Sequence, residues 1–365
     1  SMAGITTAIA GITALGLALG KVANGAVANY RKEWKKVVSE LPQETKGSSE
    51  AIRASLKDLQ NELGLLSEDA LPALQRSLQI GFDGNASIDL LRQASQLAIA
   101  EITTLEGGVE LLGNTMRSFS GQSLTAQEAV DKLFTASKAG GVNLQDLGRA
   151  IQQIGPDIGA TGIAFDDFSA SLSVLVRSGR LTFSALRDIA SLSTAIVAPS
   201  EESANAMTQL GVEFGKGALQ AKGLSGVLSD IIDASGGSTA VMELLLGSQE
   251  NLNTAFTLGQ NNGDAFAKAL DRVANSAGSA SEQASEIDSS FKRAIRRARV
   301  TVEGLMIELG ELMTPAIESL NKFVTEYTQK IKNVVKLGIQ LFKDGNIGEF
   351  LKLSIAVGLD KASVA

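Results

Sequence analysis

Three carboxylate pairs are the residue sets best suited to chemistry: Asp166-Asp167, Glu201-Glu202, and Asp230 with Asp233. Two carboxylates converging in a cleft can hold a metal or divide acid and base roles in glycoside hydrolysis. These pairs instead fall in the first turns of expected helices or on exposed faces, where the helix dipole accounts for acidic side chains. The chain has no His and no Cys in 365 residues. That removes thiol nucleophiles, disulfides, Cys/His zinc sites and every triad that uses imidazole as base. Gly211-Val-Glu-Phe-Gly215-Lys216-Gly217 has the look of a phosphate loop but the wrong spacing. Three residues separate its first two glycines, and Gly217 stands where a magnesium-binding Ser or Thr belongs. No enzymatic activity, catalytic residue, metal or cofactor is expected.

Two further sets suggest surfaces. Lys292, Arg293, Arg296, Arg297 and Arg299 put five cations in eight positions. On a helix this is a solvated or interfacial face, and contact with phosphate or anionic lipid is the sharper alternative. No aromatic residues interleave to stack on bases, so no specific nucleic-acid sequence is expected as a partner. At the amino terminus Ser1 precedes Met2 and reads as an expression scar, set aside from fold reasoning. Ala3 to Gly20 carries no charge, and Ile5, Ile9, Ile12, Leu15, Leu17 and Leu19 are the candidate membrane-facing residues. No basic residue precedes Lys21, so a signal peptide is not expected here. The readings left are a membrane-active helix or one buried in an oligomer.

The elements that carry these residues are helical. No stretch alternates with period two, and apolar residues recur at helical spacing between glycine-containing breaks. Aromatics are only 4% of the chain, so Ala, Leu, Ile and Val must fill the core. The spacing predicts a long helix over about 5–40, then helices near 48–63, 67–80, 86–119, 125–139, 143–154, 165–178, 182–197, 200–210, 223–234, 240–260 and 264–276. A longer helical region begins near Ser281. Only residues 211–217 offer an irregular or extended piece. The expected fold is all-α: a compact array of short helices and αα-hairpins with long N-terminal and C-terminal helices. Three parts follow: residues 1–47, an apolar helix and linker; 48–280, a helical core; and 281–365, a heptad-patterned helix, a proline break and amphipathic helices. Charge is uneven along them. Residues 1–100 carry 10 basic and 10 acidic groups, 101–290 carry 11 and 22, and 291–365 carry 12 and 8.

A repeated device marks helix starts in the middle. Leu124 and Ala129, Val142 and Leu147, Ile163 and Phe168, and Leu181 and Leu186 each stand five apart, the spacing of a hydrophobic staple. Thr125, Asn143 and Thr182 are the expected N-caps, and Thr125 with Glu128 matches a capping box. Gly141, Gly162 and Gly179 are placed to end the preceding helices. After Ala280 the pattern changes. Phe291, Ile295, Ala298, Val302, Leu305, Leu309, Leu312 and Ala316 alternate spacings of four and three, a heptad seam. Phe291, Ile295, Val302, Leu305, Leu309 and Leu312 are the candidate oligomer contacts, and Pro315 is expected to break the helix.

The sequence resembles the core region of phage tail tape measure proteins. The resemblance rests on Asn143-Leu-Gln-Asp-Leu-Gly-Arg-Ala, Gly155 to Ile163, Leu172 to Gly179, Ile196 to Ala204, Met207 to Phe214, Leu224 to Ile232 and Ala274 to Ala284. Leu309-Gly-Glu-Leu-Met-Thr-Pro315 fits that family's Leu-Gly-x-x-Leu-x-Pro element with one extra residue. The likeness spans about residues 120–320 and extends more weakly back to about 50. It implies a structural protein of the virion tail, in the tube lumen or tip, present in the host cytoplasm during assembly and at the host membrane on ejection. The implied partners are further copies of itself, as a trimer or hexamer, tail tube, tail tip or baseplate proteins, assembly chaperones and the host membrane. The implied roles are setting tail length and helping the genome cross the host envelope. As a single helix, 365 residues would reach only about 550 Å, which puts the measuring role of this chain in question. The alternative from another class is a bacterial helical pore-forming or membrane-associated scaffold protein.

Overall fold

A computed structural model describes residues 25–312 except 44, 261–262 and 289–291, together with 23, 336, 337 and 340. Every regular element among them is helical, so the chain is all-α. The helices are α1 (25–40), α2 (Ser49–Leu63), α3 (Ser67–Ile80), α4 (Gly84–Ile99), α5 (Leu105–Ser118), α6 (Ala126–Gly140), α7 (Leu144–Thr161) and α8 (Phe165–Arg177). They continue as α9 (Thr182–Val197), α10 (Glu201–Leu210), α11 (Lys216–Ala234), α12 (Thr239–Leu246), α13 (Gln249–Gly259), α14 (Asp264–Ala274), α15 (Ser279–Ile287) and α16 (292–312). Two compact units are present: Arg31–Val302, and the residues before and after it. In the smaller unit Gly310 lies so close to α1 that a Cβ there would meet Val27 Cγ2 at 2.4 Å.

Local signals place most helix ends. Thr125 accepts the N–H of Glu128 while the Glu128 carboxylate accepts the N–H of Thr125, the capping box expected. Asn143 Oδ1 accepts from the N–H groups of Gln145 and Asp146. Gly141 and Gly162 close α6 and α7 with φ of +74° and +76°, where a Cβ would be strained. The staple positions at α7 and α8 are buried on both sides, Val142 with Leu147 and Ile163 with Phe168, and at α6 Ala129 is buried. At α9 the expectation fails. Leu181, not Thr182, is the N-cap; Thr182 is buried in the first turn, and Leu181 is 77% exposed. With the helix starting one residue early, Leu181 is the N-cap itself and not the residue ahead of it, so the staple spacing is lost.

Other boundaries differ from the periodicity as well: the helix expected to end at 154 runs through Pro156 to Thr161, and the one expected to run on from about Ser281 stops at Ile287. The helix expected over 86–119 is two. Glu101 takes a left-handed φ of +58°, and the Thr104 hydroxyl accepts the Gly107 N–H to start α5. The segment expected over 240–260 breaks at Gly247, and α11 begins at Lys216 rather than 223, with a kink at Gly223. The expected N-terminal helix before residue 23 lies outside the described residues, as does the seam beyond Leu312.

The larger unit is built around α5, which packs on α3, α4 and α7; α7 in turn packs on α9, and α6, α8 and α14 form an adjoining group. Small residues let the helices approach. A Cβ on Gly159 of α7 would lie 1.7 Å from the Ser118 carbonyl oxygen at the end of α5. Where the helices leave room, Phe119, Phe165 and Phe168 cluster with ring centroids 4.9–5.8 Å apart, a preferred aromatic spacing.

Candidate functional site

The cationic run on α16 is spent within the larger unit. Arg293 Nε donates to Asp288 Oδ2 at 2.9 Å, and Arg296 pairs with the other oxygen of the same carboxylate. Lys292 meets Glu101 at 3.0 Å, and Arg297 donates to the Glu62 carbonyl at 3.0 Å. Arg299 is exposed. The run therefore ties the start of α16 to the core, while Lys292, Arg293, Arg297 and Arg299 remain exposed. Gly64 allows the approach: a Cβ there would stand 2.8 Å from Arg296 Cβ.

The clamp also orients the helix. Val300 is buried at 6% exposure, while Ile295 and Val302, roughly on the opposite side, are 40% and 54% exposed. In the smaller unit Leu305, Leu309 and Leu312 are 53%, 47% and 77% exposed. Phe291 of the same seam lies outside the described residues, as do Ile5, Ile9, Ile12, Leu15, Leu17 and Leu19. Among the described residues no helix is long and apolar enough to cross a membrane.

The carboxylates do structural work. Asp166 pairs with Lys132, and Asp230 takes Lys222 at 2.7 Å, together with Glu213 at 3.0 Å. Asp167 stands in a first helical turn, as expected. It is buried in α8 and accepts the Leu224 N–H at 3.0 Å, directly after the Gly223 kink. Burial pushes its carboxyl above the ordinary aspartate range, the Leu224 N–H opposes this, and neighbouring Asp166 adds to the rise. Asp188 in α9 is raised too, first by burial, with Arg180 opposing and Glu250 adding. Asp131 accepts from the backbone of Gly278 and Ala280 and so caps α15. None of these long-range partnerships has a local sequence mark; only the burial of an Asp amid apolar helical positions hints at them. No cluster of three metal-ligating side chains occurs among the described residues.

One cleft of about 780 Å³ opens between α7, α9 and the starts of α10 and α13. It is lined mostly by small and hydroxylic residues, with Asp157 as its charged member and the buried Asn251 among them. Nothing in it pairs a nucleophile with a base.

The family model described as phage-related minor tail protein matches residues 53–247, just over half of the chain. The tape measure protein of Pneumococcus phage Dp-1 is 19% identical over 285 residues, which cover 77% of this chain and 25% of that protein. The chain thus spans about a quarter of that relative's length. No solved structure matches. The resemblance read from the residues holds, and the chain belongs to the phage-related minor tail protein family.

Proposed function

We propose that this chain is the core of a tape measure-type tail protein that associates with copies of itself through the α16 seam, contributes to tail length and assists genome ejection across the host membrane. Family membership supports the phage tail reading over a bacterial pore-former. The observation that carries self-association is the division of α16. Val300 faces the core, while Ile295 and Val302 of the heptad pattern stand in solvent, an arrangement suited to a coiled-coil contact. The role is structural rather than enzymatic, and tail tube, tip or baseplate proteins and assembly chaperones are the further partners.

Sedimentation velocity of the intact chain tests this. Wild type is expected to sediment as an oligomer at tens of micromolar, and Leu305→Glu with Leu309→Glu to sediment as a monomer of unchanged helicity. A monomeric wild type overturns the seam. For the length role, in-frame removal of helical residues in the phage should shorten the tail by up to about 1.5 Å per residue; tails of unchanged length in electron micrographs overturn it.

A further inference from the structure

The turn from α8 into α9 gathers positive charge and exposed apolar side chains. Residues 168–187 hold three arginines and no carboxylate, within a region, 101–290, that carries 11 basic and 22 acidic groups. Arg180 pairs with Asp188, the next acid along the chain. Arg177 at the end of α8 and Arg187 in α9 are exposed and form no salt bridge among the described residues. Leu181 and Phe183 are 77% and 45% exposed. Phe183 and Arg187 are four apart in α9 and so share a helix face.

The same turn leaves a helix end open. α9 has no side-chain cap and no acidic residue in its first turn. The Ala185 N–H is the first to reach a carbonyl, that of Leu181 at 2.9 Å, so the N–H groups of Thr182, Phe183 and Ser184 have no acceptor among the described residues. One polar side chain stands in this end. Thr182 is the first helical residue and is 8% exposed. Helical side chains lean towards the N-terminus, which carries the Thr182 hydroxyl to the open end. That hydroxyl makes no hydrogen bond among the described residues, yet it is not closed off from solvent. Buried hydroxyls are paired as a rule. A hydroxyl and three N–H donors at the positive end of a helix call for one acceptor that can take several of them, an anion. The donors converge on one point, which suits a single carboxylate held in a fixed segment better than a fluid layer of headgroups. Leu181 and Phe183 add a requirement that a free anion does not meet, since both need apolar cover.

We infer that the start of α9 docks an acidic segment of a partner protein, an Asp or Glu flanked by apolar residues. The carboxylate accepts from the open N–H groups and the Thr182 hydroxyl, Arg187 supplies counter-charge, and the flanking apolar side chains cover Leu181 and Phe183. The site owes nothing to the heptad seam or to self-association.

The test uses the intact chain, isotopically labelled, and two peptide probes, acetyl-Leu-Asp-Leu-amide and its asparagine counterpart. The acidic peptide is expected to shift the backbone amide resonances of Thr182, Phe183 and Ser184, and the uncharged one is not. Arg187→Ala, at an exposed position, should weaken binding about two- to fivefold, as loss of one solvent-accessible ion pair does. Leu181→Asp places a capping carboxylate at the N-cap, where the same N–H groups can reach it. That variant should keep its helicity and lose the peptide. Changes at these amides with phosphatidylserine vesicles but not with the peptide assign the helix end to a lipid surface. Changes on raising the chain concentration alone assign it to a second copy. Either overturns the inference, as does equal binding of the asparagine peptide, no movement of the three amides with the acidic one, or a Leu181→Asp chain that binds like wild type.

Discussion

Asp131, buried in α6, accepts the backbone N–H of Gly278 at 2.8 Å, joining residues 147 positions apart. Its second oxygen takes the Ala280 N–H at 3.0 Å, and Gln127 Nε2 donates to the carboxylate as well. One side chain thus supplies the cap that α15 lacks locally, since Gly278 has none to offer. Removing an acceptor so that buried donors are orphaned costs about 1–3 kcal/mol. Asp131→Ala should therefore lower stability by about that much, and Asp131→Asn by less, because one oxygen remains. Urea denaturation followed by circular dichroism checks the order; equal midpoints for all three chains would refute it.

The same carboxylate shows what could be read from the residues alone. Caps built from neighbours, such as Thr125 with Glu128 and Asn143 with Asp146, were legible because both partners lie within one turn. The break between α4 and α5 was not, because Glu101 occupies a left-handed position that glycine usually marks. Asp131 and Asp167 were not either: their partners are backbone N–H groups on distant helices, and a backbone donor carries no residue identity to search for. The seam was legible as a heptad, whereas the outward aim of Ile295 depends on the Asp288 clamp, whose partners Arg293 and Arg296 read only as surface charge. The cleft was invisible, since its lining comes from five helices spread over residues 157–251 and Asn251 looks in sequence like any residue of a first helical turn.

Two glycines of similar sequence setting should respond in opposite directions. A Cβ on Gly159 would stand 1.7 Å from the Ser118 carbonyl oxygen, whereas one on Gly217, in the first turn of α11, meets nothing within 4 Å. Gly159→Ala forces α5 and α7 apart and should cost about 1–3 kcal/mol, the usual range for overpacking. Gly217→Ala should stabilise by up to about 1 kcal/mol through helix propensity. Thermal melts of the two variants decide it, and a Gly159→Ala chain as stable as wild type would count against the close α5–α7 packing.

Stability should depend on pH in two opposed ways. The Glu128 carboxyl is held below the ordinary glutamate range, chiefly by the Thr125 N–H and then by the Thr125 hydroxyl. Its contribution is complete above the unfolded-state pKa and is lost as pH falls through the folded one. Asp167 is raised, so the folded state holds its proton more tightly, and stability falls as pH rises from the unfolded pKa to the folded one. Asp167→Asn, which retains an acceptor for Leu224, should therefore gain on wild type at pH 7 and lose that advantage below the aspartate range. Thr125→Ala should do the reverse, costing about 1 kcal/mol at pH 7 and less in acid. Paired urea titrations at the two pH values test both signs.

The amino-terminal stretch supplies the last prediction, argued from its residues alone. Ala3 to Gly20 carries no charge, so in water it must be covered by protein or lipid. Each Leu or Ile left exposed forfeits roughly 1.5–3 kcal/mol of burial. Gly4, Gly11, Gly16 and Gly20 each lower helix propensity by up to about 1 kcal/mol relative to Ala. Such a cost fits a segment selected for close helix approach or for a change of surroundings. Lys21, Arg31, Lys32, Lys35 and Lys36 follow and can hold an anionic membrane surface at about 1 kcal/mol per charge. The head is thus expected to be buried in the assembled tail and to bind membrane after release. Flotation and dye leakage with anionic liposomes, comparing the intact chain with one lacking residues 3–28, should show binding and leakage only for the intact chain. Equal behaviour of the two would make the head packing material and leave membrane contact to other residues.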